Sequence, residues 1–221
     1  MRLIITICFA FYSMGIAAQT DRDNKVPKDP KAKEILDQLS AKNKSYKSIT
    51  ADFEFRLHNT AEGLDDTQTG TIIVKGDKYK LALSEQEIIS NGKLVWTYLK
   101  DAKEVQVSEV SEEDEQGFMN PKKMFTLYES GFKYVLGDDQ TKNGIAVNEI
   151  RLYPENPGDK PFHTVLLYVD KAKIQIQSVE VKSKDGNNFI YTLKNFSGDK
   201  QYAENYFDFK TPAGVEVIDL R

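Results

Sequence analysis

Apolar and polar residues alternate with a period of two along most of this chain, a pattern typical of strands with one face in water. Tight-turn sequences such as Asn91-Gly92 and Asp185-Gly186 separate the runs. The pattern predicts about eleven main strands and two short ones at the end of the chain. Their ranges are 49–58, 69–75, 79–83, 87–89, 94–99, 105–110, 132–136, 145–153, 162–169, 174–183, 189–196, 206–209 and 215–218.

Two segments have a different, helical pattern. Asp29 and Pro30 are a helix cap and a first helical residue, and apolar residues then recur at helical spacing as far as Asn43. A second short helix is predicted from Asn120 and Pro121 to about position 128. These elements predict a mainly β fold with α cover: one strongly curved antiparallel sheet, an incomplete barrel, capped by short helices.

The N-terminus has the layout of a secretory signal peptide, with Arg2, an apolar run and small residues before position 19. We expect a signal peptide over 1–18, a flexible leader over 19–29 and a single domain over 30–221. Cleavage removes Cys8, the only cysteine, so the mature chain has no thiol for a disulfide or a thiolate metal site. It also removes Arg2, which takes the net charge from −4 to −5. A mildly acidic chain argues against nucleic-acid binding.

No residue pattern indicates catalysis, a cofactor or a metal. His58 lies on the polar side of the first strand and His163 beside a proline, without a serine elbow or paired acid near either. The doublets Asp65-Asp66 and Asp138-Asp139 lack the spacing of a calcium loop and are interpreted as turn residues. The acidic run 111–115 is either a solvated loop or a surface that faces a partner.

The abundance of aromatic and aliphatic residues on alternating strands is the main functional signal. One sheet face covered by short helices either fills its core completely or keeps a hollow for a ligand. Periodicity alone leaves both alternatives open.

Four motifs resemble the LolA family of periplasmic lipoprotein carriers, in the order and spacing of that family. They are SITADF at 48–53, GTIIVK at 70–75, NGKLVWTY at 91–98 and FDFKTPAGVEV at 207–217. The resemblance implies a half-barrel with a hydrophobic cavity for the acyl chains of lipoproteins. It also implies an inner-membrane ABC-type releasing complex and an outer-membrane acceptor as partners, a periplasmic location and a monomeric carrier that cleaves no bond.

The resemblance also implies which residues form the site. The expected cavity wall is Phe53, Phe55, Leu57, Tyr79, Leu81, Leu83, Leu94, Trp96 and Tyr98. The expected lid is Ile35, Leu36, Leu39, Met119, Met124, Phe125 and Leu127. On this interpretation, the fluorescence of Trp96 shifts when an acylated ligand binds.

Two departures from the family pattern affect the lid. The family commonly has Arg-Pro after the second strand, where this chain has Lys75-Gly76-Asp77, and a proline where this chain has Lys100. Lys75 or Lys78 is a possible substitute for the arginine, without its forked contacts. A related module that binds lipid or senses mislocalised lipoproteins is therefore a second hypothesis, and an exported enzyme a third.

Overall fold

A computed structural model of the chain describes residues 28–110 and 123–221. These residues contain one α-helix, α1 (Pro30–Ser45), and a single sheet of twelve strands. The strands are β1 (Ile49–Asn59), β2 (Leu64–Lys75), β3 (Lys78–Leu83), β4 (Gln86–Ser90), β5 (Leu94–Leu99), β6 (Glu104–Glu109), β7 (Phe132–Lys142), β8 (Ile145–Pro154), β9 (Phe162–Asp170), β10 (Gln175–Ser183), β11 (Asn188–Gly198) and β12 (Glu216–Asp219). Short 3-10 helices occupy Lys123–Phe125, Leu127–Glu129, Pro157–Asp159 and Glu204–Phe207.

Two meanders meet at the centre of the sheet. The strand order is β12-β6-β5-β4-β3-β2-β1-β11-β10-β9-β8-β7, so β1 and β11 form the junction. The end strands β12 and β7 do not pair with each other, and the sheet therefore stays open. The predicted fold class, a single open sheet with helical cover, is confirmed.

The last strands differ from the expectation. The predicted strand 206–209 is wrong, because Glu204–Phe207 is a 3-10 helix. Its backbone does not join the sheet, and its aromatic rings pack together instead. The final strand β12 is parallel to β6, whereas every other pairing is antiparallel. The long connection through residues 199–215 makes this parallel return possible.

Helix α1 begins where its sequence signals place it. The Asp29 carboxylate accepts hydrogen bonds from the backbone N–H of Lys31 (2.8 Å) and Ala32 (3.4 Å), as an N-cap does. The same residue joins the helix to β7: its N–H donates to the Tyr134 carbonyl (3.0 Å), and the Leu136 N–H donates to its carboxylate (3.2 Å). The three bonds to the carboxylate, that from Leu136 foremost, lower the pKa of the Asp29 carboxyl. Asp29, assigned to the leader from the sequence, is thus attached to the domain.

We call the sheet face that α1 covers the inner face. In the first meander, Ala51, Ile72, Leu81 and Ile88 face one another across β1 to β4 on this side. In the second meander, inner-face residues likewise face one another across β11 to β7: Tyr191, Val179, Leu167, Ile150 and Leu136. Apolar residues of α1, among them Leu36 and Leu39, belong to the same buried cluster.

The opposite side is the outer face, and part of it is also covered. Residues 199–215, which we call the C-terminal segment, cross it over β1 to β5. The Tyr202 and Thr50 hydroxyls are 2.6 Å apart, Phe207 is fully buried, and the ring of Phe209 lies 5.6 Å from that of Tyr98. The sheet therefore has apolar layers on both faces of its first meander.

Candidate functional site

A ladder of aromatic rings runs along the inner face at the junction of β1 and β11. Phe53 and Phe55 lie 5.9 and 5.2 Å from Tyr191, and Phe55 stacks on Phe189 at 6.2 Å. Cross-strand aromatic pairs of this kind stabilise a sheet and present a continuous apolar surface. Phe53 and Tyr191 are buried, and this burial raises the pKa of the Tyr191 hydroxyl.

The ladder becomes less covered toward the hairpin that joins β1 to β2. Phe55, Leu57 and Phe189 are only half-buried, although all three lie on the inner face. We call this region, formed by Phe55, Leu57 and Phe189, the open end of the inner face. It is an apolar surface that the described residues leave partly in water.

Strand β3 lies beside this ladder on the inner face. Tyr79, Leu81 and Leu83 alternate onto the inner face and are 7, 3 and 6% exposed, and all three belong to the main core cluster. Five predicted wall residues, Phe53, Phe55 and these three, are thus brought together. Leu57 lies on the same face at the open end, outside that cluster.

The register places the other three predicted wall residues on the outer face. Leu81 pairs with Ile88, and Ile88 pairs with Thr97, so Thr97 faces inward. Its neighbour Trp96 points to the other side, opposite Ile89 and Val107, and Leu94 and Tyr98 follow Trp96. This arrangement corrects the expectation of one shared wall. The physical reason is that Val95, Thr97 and Leu99 also suit a half-buried face, so β5 has no clear polar side.

The predicted lid residues that the structure describes lie over the inner face. Leu36, Leu39, Met124 and Phe125 are buried in the main cluster, and Ile35 and Leu127 pack against it. The predicted second helix is, in its described part, a pair of 3-10 turns. Met119 and the acidic run 111–115 lie outside the described residues, as do the expected signal peptide and most of the expected leader.

Polar contacts fasten α1 to these 3-10 turns. The Asn43 amide donates to the Tyr128 hydroxyl (3.0 Å) and to the Phe125 carbonyl (3.3 Å). The Glu129 carboxylate accepts from the Ser40 hydroxyl (2.5 Å) and pairs with Lys44 (3.0 Å). We call α1 together with residues 123–129 the cover. Its two parts are joined to each other by these four bonds, of which the two to Glu129 lie at the surface and the two from Asn43 are partly buried.

A cavity of about 220 Å³ lies between the cover and the sheet. Tyr46, Ile49, Val74 and Phe125 supply its apolar lining, and Asn43, Lys44, Lys47 and Glu129 are among its polar neighbours. This volume is below the roughly 300–1,000 Å³ of typical ligand pockets. The remainder of the inner face beneath the cover is densely packed, with residues such as Leu39, Ile72 and Ile150 fully buried.

Lys75 and Lys78 do not contact the cover. Both lie on the outer face, where their ammonium groups bind the two oxygens of Glu204 at 2.8 Å each. These ion pairs lower the pKa of the Glu204 carboxyl to about 2. The two lysines therefore hold the C-terminal segment, and their suggested role in place of a lid arginine is not supported by their contacts.

The two histidines contact polar neighbours outside the inner-face cluster. His58 lies on the outer face, 3.8 Å from Asp65, which is held by Arg56 in a forked pair at 2.6 and 2.5 Å. His163 is exposed and contacts the Thr164 hydroxyl at 2.9 Å. Among residues 28–110 and 123–221, no group of three or more His, Cys, Asp or Glu side chains is arranged to hold a metal ion. No helix in those ranges is long and apolar enough to cross a membrane.

Sequence reasoning left two sets of apolar residues out of the site. Phe189 and Tyr191 of β11 complete the inner-face ladder, and their alternation along a predicted strand was a usable signal. Tyr202, Tyr206 and Phe207 cover the outer face. The pattern at 206–209 indicated a strand instead, and nothing in the sequence marked Tyr202.

This geometry, an open sheet with one apolar, helix-covered face, defines a half-barrel binding fold. The family profile described as "Outer membrane lipoprotein carrier protein LolA" matches residues 27–186. The chain belongs to this LolA family.

One named relative agrees with that placement, and two solved structures have a similar fold. An outer-membrane lipoprotein carrier protein of Francisella philomiragia is 29% identical over 201 residues, covering 83% of this chain and 87% of that protein. An uncharacterised conserved protein of Thermus thermophilus has a similar structure, with a TM-score of 0.56 at 12% identity over 86% of this chain and 99% of that one. The lipoprotein LppX of Mycobacterium tuberculosis has a TM-score of 0.52 at 11% identity, covering 79% of this chain and 100% of that one. The two structural matches show a shared fold.

Proposed function

We propose that this protein is a periplasmic carrier that binds the acyl chains of lipoproteins on its inner face. It takes them from an inner-membrane ABC-type releasing complex and passes them to an outer-membrane acceptor, as a monomer and without cleaving a bond. Family membership and the half-buried, apolar open end of the inner face support this proposal. An acyl chain costs about 0.8 kcal/mol per CH₂ group in water, so transport across an aqueous space requires shelter of this kind.

Loading requires the cover to move. The cavity of about 220 Å³ is small beside several acyl chains, and the core beneath the cover is filled. Acyl chains therefore enter at the open end and displace the cover. Its internal bonds, Asn43 to Tyr128 and Lys44 to Glu129 among them, are few and replaceable by water. Met124 and Phe125 then offer an adaptable apolar surface to the chains.

Leu57 is a better position than Phe53 or Leu81 at which to test loading with a charged substitution. Those two are 6 and 3% exposed, and an unpaired charge there would unfold the protein. Leu57 and Leu94 are both half-buried strand leucines, on the inner and the outer face respectively. We expect Leu57→Glu to reduce acyl-chain uptake at least about tenfold and Leu94→Glu to leave it unchanged, since only Leu57 borders the proposed path.

Spheroplasts provide the measurement. The wild-type protein is expected to release lipoproteins into solution as a one-to-one complex, which Leu94→Glu retains and Leu57→Glu loses while both stay folded by circular dichroism. Equal release by the two variants would contradict the inner-face site.

A lipid-binding or lipoprotein-sensing module is the second candidate function. One observation favours it: Lys75 and Lys78, the residues near the position of the family's arginine, bind Glu204 on the outer face. Such a module binds an acylated peptide but releases no lipoprotein from spheroplasts, so the same experiment separates the two functions.

A further inference from the structure

Strand β2 extends beyond the strand that pairs with its second edge. Along its whole length it pairs with β1, from Ile49 opposite Val74 to Asn59 opposite Leu64. Strand β3 covers the other edge only from Lys75 to Gly70, where Leu83 ends the pairing. Within the described part of the chain, no strand pairs with that second edge over residues Leu64–Thr69. We call these six residues the free edge.

The described residues leave the free edge in water. All six residues are exposed, and Leu64 has 37% of its surface in water. Unpaired edges present alternating N–H and C=O groups to any extended chain, and proteins usually shorten or cover them. The two ends of this sheet follow that rule. Strand β12 has only four residues, and Asp29, just before the cover, bonds to β7 at Tyr134 and Leu136.

The free edge also borders the open end of the inner face. Asp66 lies opposite Leu57, and Gln68 lies opposite Phe55, so these polar side chains share the inner face with the apolar ones. A molecule whose lipid enters at Leu57 therefore has its polar part beside this edge.

The charges near the free edge favour a neutral or basic chain. Asp65 is neutralised by Arg56 on the outer face. Asp66 has no ion-pair partner among the described residues, and Glu85, two positions beyond the end of the β2–β3 pairing, is exposed. An acidic segment would be repelled here.

We propose that the polypeptide directly following the acylated N-terminus of a cargo lipoprotein adds to the free edge of β2 as an extra strand. This inference rests on the proposed function, because the acyl chains on the inner face bring that segment to the edge. Main-chain hydrogen bonds bind any sequence, since every residue but proline carries the same donor and acceptor. One carrier then accepts many lipoproteins, with the edge holding the polypeptide and the inner face holding the lipid.

Three synthetic probes test the inference with the full protein. The first is tripalmitoyl-cysteine followed by a neutral ten-residue peptide, and the second is tripalmitoyl-cysteine amide without a peptide. The third is a pair of acylated peptides with the sequence of the first, each N-methylated on every second residue. The methylated positions of one peptide are the unmethylated positions of the other. A strand offers its two edges alternately, so one methylated peptide loses the N–H groups that face β2 and the other serves as its matched control.

Binding and amide hydrogen exchange give the readouts. We expect one methylated peptide to bind about tenfold or more weakly than the unmethylated one, and its partner to bind nearly as well. Amide protons within 64–69 that are unprotected in the unliganded protein become protected with the acylated peptide. They stay unprotected with tripalmitoyl-cysteine amide.

The outcomes separate this inference from the function on which it rests. If the amide and all the peptides bind equally and residues 64–69 stay unprotected, the free edge is not a docking site and the acyl-chain function stands. Protection that rises with protein concentration without ligand assigns the edge to a second copy of this chain and overturns the inference. A protein that binds none of the acylated probes overturns the proposed function as well.

Discussion

Gly70 lies in β2, directly against the backbone of β3. A Cβ atom added there would lie 2.0 Å from the carbonyl oxygen of Ala82 and 2.9 Å from both its carbonyl carbon and a methyl group of Leu83. The first two are backbone atoms, which cannot move aside without breaking the pairing of the two strands. The glycine of the GTIIVK motif is thus required by close approach of the backbone, at the point where pairing with β3 ends.

Replacing this glycine is expected to destabilise the protein. Gly70→Ala should lower the free energy of unfolding by about 2 kcal/mol or more, because the methyl group overlaps backbone atoms. Gly158→Ala is the matched control, since nothing lies within 4 Å of a Cβ atom there, and it should change stability by less than about 0.5 kcal/mol. Urea unfolding measures both, and equal stabilities would show that the two strands separate easily.

The C-terminal segment is an element held by a mixture of ring packing and charge. Phe207 supplies its fully buried anchor, and Lys80 lies 5.7 Å from the centre of the Tyr206 ring. Glu204 joins it to β2 and β3 through Lys75 and Lys78. A segment without regular strand pairing is therefore fixed to the sheet at three types of contact.

The ion pairs of Glu204 make this attachment sensitive to acid. The pKa of its carboxyl is lowered from 4.5 to about 2 in the folded protein, so the pairs stabilise the fold above pH 4.5. That contribution is lost as the pH falls from 4.5 toward 2, where the carboxylate becomes protonated. Glu204→Gln should therefore be less stable than the wild type at pH 7, with the difference shrinking through this window.

Urea unfolding at a series of pH values tests this expectation. Glu62→Gln is the control, because Glu62 is exposed and has no ion pair among the described residues. A stability difference between the wild type and Glu204→Gln that does not change between pH 5 and pH 3 would contradict the role of the pairs.

At the level of elements, the sequence predicted those features that depend on residues close together in the chain. Asp29 and Pro30 set the start of α1, and a predicted range overlaps each of the twelve strands. Two ranges were too short: β2 and β7 extend five and six residues further, through Asp65-Asp66 and Asp138-Asp139, the doublets interpreted from the sequence as turn residues. The orientation of β5 was not predictable, because Val95 and Leu99 are as apolar as Leu94 and Trp96. Tyr206 and Phe207 look like a strand in sequence, yet they bury their rings against the sheet, which depends on contacts distant in the chain.

Over the whole molecule, the sheet separates two apolar layers. The inner layer holds the cover and the ladder of Phe53, Phe55 and Tyr191, whereas Trp96 belongs to the outer layer with Ile89 and Val107. A ligand that enters the inner layer therefore changes surroundings that Trp96 does not share.

Two proteins with one tryptophan each test this separation. In the native chain, acylated ligand should leave the emission maximum of Trp96 nearly unchanged, contrary to the expectation from sequence. The double variant Phe55→Trp, Trp96→Phe places the only tryptophan at the open end of the inner face, and its emission should shift to shorter wavelength as the acyl chains exclude water. A shift of Trp96 alone would place the ligand on the outer face.

The junction of β1 and β11 has a consequence for how the chain folds as it is made. Residues early in the chain pair there with residues near its end, Ile49 with Gly198 and His58 with Asn188. Each meander forms largely from neighbours along the chain, but their union waits until β11 has been synthesised. Until β11 emerges, the nascent chain exposes one edge of β1 and half of the aromatic ladder, so the centre of the sheet is the last part to become shielded from aggregation.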